Sequence, residues 1–337
     1  RYLTTVLHAP SDRLLTEQPA ALVGGNAFLA HQARCHGDAD AAWLERHMVH
    51  QATQPRRPGQ VVGLHHGMLW GFLAAAPRDG GSATVSDERP RALHHFEDSA
   101  LVHYRDRAYD VVVSLQCGPP VSYHADRAAR GPCDRLGGAP RAGHFALFLG
   151  GEPMLATPVA GYRLHTFLGS CMLVDGQGQI GDIGYPMSIP SWVHPGHHIR
   201  AVRWDENAQR GIVQLDLAPA YPDELGVAFY VRELVFNGER RIVCRDHVAF
   251  DTPRTPAWLF QTRSAIGARV VDGTAGMIGE SPGLRIDPEA MDLNLSARVE
   301  RTDVVHNYSS AFEDFEHVRY EPTAPARAAC VAFVLTW

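Results

Sequence analysis

Hydrophobic positions along this chain follow two different spacings. In the first fifty residues they cluster with a helical period. Ala27 to Cys35 and Asp40 to Val49 flank a break at Gly37, which reads as a helix C-cap followed by an acidic N-terminus. Phe28, Leu29, Trp43, Leu44, Met48 and Val49 suit a helical hairpin with one buried side, and Gly67 to Ala75 reads as a further helix. A Pro- and Arg-rich loop, Gln54 to Gly59, lies between them. Residues 77–92 are rich in Gly, Ser, Asp, Arg and Pro, a linker composition, and the domain boundary is placed there.

From about Phe96 the pattern changes to short β-branched and alternating runs. Tyr109 to Gln116, His144 to Leu149, Cys171 to Val174 and Ile212 to Leu217 read as strands. Val227 to Phe236 and Arg240 to Phe250 are joined by Asn237-Gly238, a strong short-range hairpin signal. Further strands are expected at Trp258 to Thr262, Asp292 to Val299 and Ala328 to Trp337. Many short strands separated by turns predict a mainly β chain: a large antiparallel β-sandwich over residues 91–337, preceded by helices in residues 1–90.

Composition narrows the partners. Hydrophobic residues make up 45% and charged residues 20% of the 337, ordinary for a globular protein. A net charge of -6 argues against nucleic acid or an anionic membrane as a partner, and means that an acidic polymer must meet a local basic cleft. All 31 basic residues are Arg; its planar fork suits carboxylate and sulfate, although high-GC coding is the simpler account. Six cysteines (Cys35, Cys117, Cys133, Cys171, Cys244, Cys330) form no CxxC pair, so neither a zinc ribbon nor a redox motif is expected. A Cys117–Cys133 bridge has no support beyond proximity in sequence. No apolar stretch reaches the roughly 18 residues of a membrane span. Beginning at Arg1 without a signal peptide, the chain reads as a processed or truncated product.

One stretch carries a resemblance. Cys117-Gly118-Pro119-Pro120 is followed by Gly143-His144-Phe145-Ala146-Leu147-Phe148, then Gly161-Tyr162, then Leu173-Val174-Asp175-Gly176-Gln177-Gly178-Gln179. In order and spacing, over about sixty residues, this resembles the start of the β-sandwich in heparinase II/III-type polysaccharide lyases, and Phe96-Glu97-Asp98-Ser99 resembles the element that opens its first strand. The resemblance implies that residues 1–90 are the last helices of an α/α toroid. It implies a lyase cleaving uronic-acid-containing acidic polysaccharide by β-elimination, in the periplasm or secreted. The expected partners are an acidic polysaccharide or oligosaccharide and a second copy of the chain in a homodimer, with no nucleic acid and no membrane.

The chain departs from the family where the family keeps its metal. The positions of a catalytic His and of three zinc ligands hold Gly137, Ala139, Pro158 or Val159, and Gly169, none of which can coordinate zinc. No cofactor is therefore expected, and no metal ligand is assigned. The resemblance also places an essential His and Tyr in the toroid, so the 337 residues alone are expected to show no elimination. Two alternatives stay open: a degenerate homologue serving as a carbohydrate-binding or structural module, and a uronyl C5-epimerase using the same proton abstraction.

β-Elimination needs a base for the C5 proton, an acid for the departing O4, and donors that neutralise the C6 carboxylate. His144 and Tyr162 are the candidate catalytic residues; a packed strand-start histidine and a packed tyrosine are the simpler readings. Arg163 and Arg200, with Arg203, are candidates for binding substrate, weighed against a solvated sheet face. His165 is either a relocated ligand or, more simply, a surface histidine. Trp192 to His198 is the densest histidine cluster but lacks a carboxylate or third spaced ligand.

Overall fold

A computed structural model describes residues 7–8, 13–14, 91–119, 123–128, 140–156, 165–182, 194–280, 283–290, 293–305 and 312–337. The chain splits into two units, Arg1–Pro90 and Arg91–Trp337. In the first, β1 (Leu7–His8) and β2 (Arg13–Leu14) pair antiparallel, an extended element inside a stretch that reads as helical. The helices expected between Ala27 and Ala75 lie outside the described residues.

The second unit is mainly β. Its strands are β3 (Arg91–Phe96), β4 (Leu101–Asp106), β5 (Val111–Gln116), β6 (Phe145–Leu149), β7 (Glu152–Leu155), β8 (Met172–Val174), β9 (His198–Asp205) and β10 (Arg210–Asp216). They continue with β11 (Val227–Phe236), β12 (Arg241–Arg254), β13 (Pro256–Arg263), β14 (Ala268–Val271), β15 (Ala275–Ile278), β16 (Leu284–Ala290), β17 (Leu295–Val305), β18 (Phe312–Pro322) and β19 (Ala326–Thr336). All ladders are antiparallel. The sheet orders are β3-β4-β5-β6-β7, β17-β18-β13-β8 and β14-β15-β16-β19-β12-β11-β10-β9. A short helix, α1 (Tyr123–Ala128), is tied down by Asp98, whose carbonyl and carboxylate accept the N–H groups of Tyr123 and His124.

The five- and four-stranded sheets lie side by side as one layer, linked where Ala156 N–H donates to Gln261 O across 3.2 Å. The eight-stranded sheet faces both. Alternation puts Tyr104, Val113, Phe145 and Leu147 from the first sheet, and Trp258, Phe260, Val318 and Tyr320 from the second, into one core. Tyr230, Leu234, Phe236, Ile242, Cys244, Val331 and Phe333 meet them from the opposite layer. Tyr104 stacks on Phe236 at 4.4 Å between ring centroids, and Phe260 meets Phe333 edge-on at 4.9 Å, so the large sheet contacts both halves of the facing layer. This is the antiparallel β-sandwich that the strand spacing predicts.

The hairpin at Asn237-Gly238 forms, but not as a tight two-residue turn. Phe236 pairs with Ile242, leaving a loop in which Gly238 and Arg240 take positive φ and Asn237 does not. The Gly238 carbonyl accepts from Arg91 Nη2 at 2.7 Å, anchoring the loop to β3. This register makes Arg232 and Asp246 direct cross-strand partners on the inward face. Cys117, Cys171 and Cys244 are free, buried thiols, and Cys133 lies outside the described residues. Burial raises the Cys117 thiol's pKa strongly and pushes that of Cys244 up to about 12.

Candidate functional site

Two polar loops meet where the five- and four-stranded sheets adjoin: residues 140–144 before β6, and 165–171 before β8. What holds them is a charged pair inside an otherwise apolar core. Arg232 donates from Nε and Nη2 to the two Asp246 oxygens at 2.8 and 2.7 Å, and Tyr230 adds a hydroxyl to the same carboxylate at 2.9 Å. Arg232 Nη1 reaches across the sandwich to the carbonyls of Gly143 at 2.7 Å and Ser170 at 2.8 Å. Both side chains are essentially buried, at 2% and 0% exposed. Such a pair is tolerated in the core because the planar guanidinium meets the carboxylate bidentately and turns its other donors to two loop carbonyls. Desolvation pulls the Arg232 pKa down, and the Asp246 carboxylate together with Tyr230 and Cys244 more than offsets it, leaving the pKa well above its usual value.

Gln179 forms a second clasp. Its Nε2 donates to the Ala142 carbonyl and its Oε1 accepts from the Ala142 N–H, both at 2.8 Å, while its own N–H donates to Thr166 Oγ1. Gly143 must be glycine: it sits at φ +87°, and a Cβ there would run into Leu217.

Between these clasps sits His144. It is buried, and its Nδ1 accepts the backbone N–H of Ser170 at 2.9 Å. In the neutral ring the proton is therefore on Nε2. The Ser170 hydroxyl accepts from Gln261 N–H at 3.0 Å, which ties this loop to β13.

His165 opens the single helical turn Thr166–Leu168 and has the opposite arrangement. Its Nδ1 lies 2.6 Å from Asp182 Oδ1, and the other carboxylate oxygen accepts Thr166 N–H at 3.2 Å. The ring stacks on Phe167, centroids 4.8 Å apart. The pair is 23% and 18% exposed, so it is supported by the protein yet open to solvent. A Cβ at Gly178 would collide with the Asp182 carboxylate and the Thr166 hydroxyl. His165 is thus a partly exposed histidine with a carboxylate partner that the sequence reading did not assign.

The other candidates separate from this site. Arg200 is exposed on the edge strand β9, as the residue left unpaired by a bulge between the Ile199–Leu215 and Ala201–Gln214 pairs. Tyr162 and Arg163, like Gly137, Ala139, Pro158 and Val159, lie outside the described residues. Gly169 lies within them, and the Cγ and Cδ of Arg141 sit 3.3 and 3.4 Å from where its Cβ would stand. At this position, where the resemblance would put a zinc ligand, Gly169 offers no ligand atom and the Arg141 stem fills the space beside it. In the histidine cluster, His194 and His197 tilt together at 4.4 Å. Burial first, then His194, pushes the His197 pKa down to about 3. Among the described residues no three His, Cys, Asp or Glu side chains group as a metal set.

No protein-family model and no curated protein matches this chain. Solved structures do. The heparan sulfate lyase HepC from Pedobacter heparinus is 14% identical with a TM-score of 0.57, covering 92% of this chain and 41% of its own. A heparinase III structure is 11% identical with a TM-score of 0.53, covering 73% of this chain and 36% of its own. The chain therefore spans well under half the length of these structures. No helix among the described residues is long and apolar enough to cross a membrane. At such identity the likeness is one of fold, and the fold that this sandwich shares is that of heparin- and heparan-sulfate-cleaving lyases.

Proposed function

We propose that residues 91–337 are the sandwich portion of a lyase that cleaves uronic-acid-containing acidic polysaccharide by β-elimination. The observation that carries this reading is the fold likeness to two enzymes named for heparin and heparan sulfate. The site adds chemistry that suits it. His144 lies buried in the clasped loop with its Nδ1 accepting the Ser170 N–H, an imidazole held in one orientation among the polar groups of the site. Arg141 lies in the same loop, and a guanidinium is a side chain whose planar fork suits the carboxylate or sulfate of an acidic sugar.

A second reading, a sandwich that holds acidic sugar without cleaving it, draws on Gly169 and its packing against Arg141. The two separate in one experiment. Elimination creates a conjugated double bond absorbing near 232 nm, so the complete protein is incubated with heparan sulfate, heparin, alginate and chondroitin sulfate. A steady rise above a heat-killed control on one of them supports the lyase. A flat trace with retention on a heparan sulfate column supports the binding module. Neither cleavage nor retention would sink both.

A further inference from the structure

We propose that His165 and Asp182 form a general-base dyad in which His165 Nε2 takes the C5 proton of the uronic acid. The inference rests on the lyase reading and gives the sandwich a base of its own, at a position distinct from Gly137.

The argument is geometric. A histidine works as a base when one ring nitrogen is committed to a partner and the other points its lone pair outward. Asp182 Oδ1 lies 2.6 Å from Nδ1, and a carboxylate accepts, so the neutral ring carries its proton there and Nε2 holds the lone pair. No protein group among the described residues hydrogen-bonds Nε2, and the side chain is 23% exposed, so a substrate can approach. Three features fix the pair in place. Thr166 N–H holds the second Asp182 oxygen, Phe167 stacks on the ring, and the Gly178 backbone leaves room only for a hydrogen beside the carboxylate. An incidental surface ion pair has no such support. The loop is itself clasped to the His144 loop, through Gln179 to Ala142 and through Ser170 to His144, so both imidazoles belong to one rigid polar assembly.

In the reaction the C5–H bond breaks and its proton moves to Nε2. The electron pair becomes the C4=C5 double bond as the C4–O4 bond breaks, O4 leaves with its electrons and takes a proton from water, and the imidazolium returns its proton to solvent. No oxidant, reductant or metal is required. His165 is the catalytic residue and Asp182 the positioning residue.

The test uses the complete protein on heparan sulfate, followed at about 232 nm, in wild-type, His165→Ala and Asp182→Asn forms, with unfolding midpoints as a check on folding. His165→Ala is expected to lose about 10²–10⁴-fold in kcat with little change in KM, and added imidazole to restore part of the loss. Asp182→Asn is expected to lower kcat at unchanged KM without imidazole rescue, because its histidine is present but unoriented. Near-wild-type kcat in His165→Ala, or a loss that imidazole does not relieve, would overturn the dyad and leave the lyase reading standing. A wild-type protein that cleaves none of the four polysaccharides would overturn the dyad and the lyase reading together.

Discussion

Two acid–base pairs of almost equal length sit within one site, and they do opposite work. Arg232–Asp246 closes at 2.7 Å and His165–Asp182 at 2.6 Å. The first is buried between sheets, joins a guanidinium to a carboxylate through two parallel bonds, and uses its remaining donor group on backbone carbonyls of two loops. The second is partly open, pairs a carboxylate with a titratable ring, and leaves one ring nitrogen to solvent. The distance between partners therefore does not reveal the role. Burial and the use made of the remaining donors do: a satisfied buried pair is a strut, whereas a supported half-open pair keeps a group available for proton transfer.

The largest expected effect breaks the strut. Arg232→Met leaves Asp246 buried without its counter-charge and two loop carbonyls without a donor, and is expected to cost about 3–5 kcal/mol in urea unfolding. Adding Asp246→Leu should recover part of that loss, since an apolar pair replaces an orphaned charge. If the double variant is less stable than the single one, Asp246 matters more as the acceptor for the Tyr230 hydroxyl than as an orphaned charge.

Next in size is an indirect break of the open pair. Gly178→Ala adds a methyl group where the Asp182 carboxylate stands, and is expected to push that carboxylate off His165. Rate should fall by about 10²-fold, within the range for a misdirected general base, with some loss of stability because the same methyl group also meets the buried Thr166 hydroxyl that accepts Gln179 N–H. A normal rate would show that Asp182 can move without consequence for turnover.

Acid sharpens the contrast between buried and open imidazoles. His103 and His197 have pKa values near 3 because burial penalises the charged ring, with His94 and His194 adding repulsion. Once unfolded, each would protonate near pH 6.5. The native state binds fewer protons than the unfolded state between these values, so stability holds above about pH 6.5 and falls as pH drops toward 3, by up to about 1.4 kcal/mol per pH unit for each ring. Replacing His197 with Phe should flatten the slope; an unchanged slope would show that its ring is not kept neutral.

The smallest effect belongs to the outer face of the large sheet, where Gln214 and Arg245 both bond Glu233 across neighbouring strands. Glu233→Gln is expected to change stability by less than about 1 kcal/mol, as exposed pairs do. A larger loss would mean that this ladder is a second strut.

Much of the sandwich is legible in the sequence because its central strands bury one clean face. The runs at 111–116, 145–149, 172–174 and 227–236 are nearly uninterrupted. The strands that escape notice carry polar residues at buried positions or dense charge. β4 buries His103 and Asp106, and β18 reads as alternating charge until Val318 and Tyr320 are seen facing the core. The strut was half visible, since Arg232 and Asp246 each interrupt an apolar alternation. Their pairing depends on the loop after Phe236: a two-residue Asn-Gly turn would put Glu239 opposite Phe236, whereas the observed loop puts Ile242 there. His144 is singled out in the sequence by the Gly-His-Phe run, and the structure adds its burial and its Ser170 partner. The His165–Asp182 pair spans 17 residues across a loop with no period, so no pattern in the sequence joins the two.

The comparison between the pairs is tested most directly by one isosteric change made in each and measured side by side in urea unfolding. Asp246→Asn is expected to cost about 3 kcal/mol or more, because Arg232 stays charged and buried. Asp182→Asn is expected to cost less than about 1 kcal/mol, because water can reach His165. Equal losses in the two variants would contradict the account, since both carboxylates would then be struts and the His165 site would have no claim to chemistry.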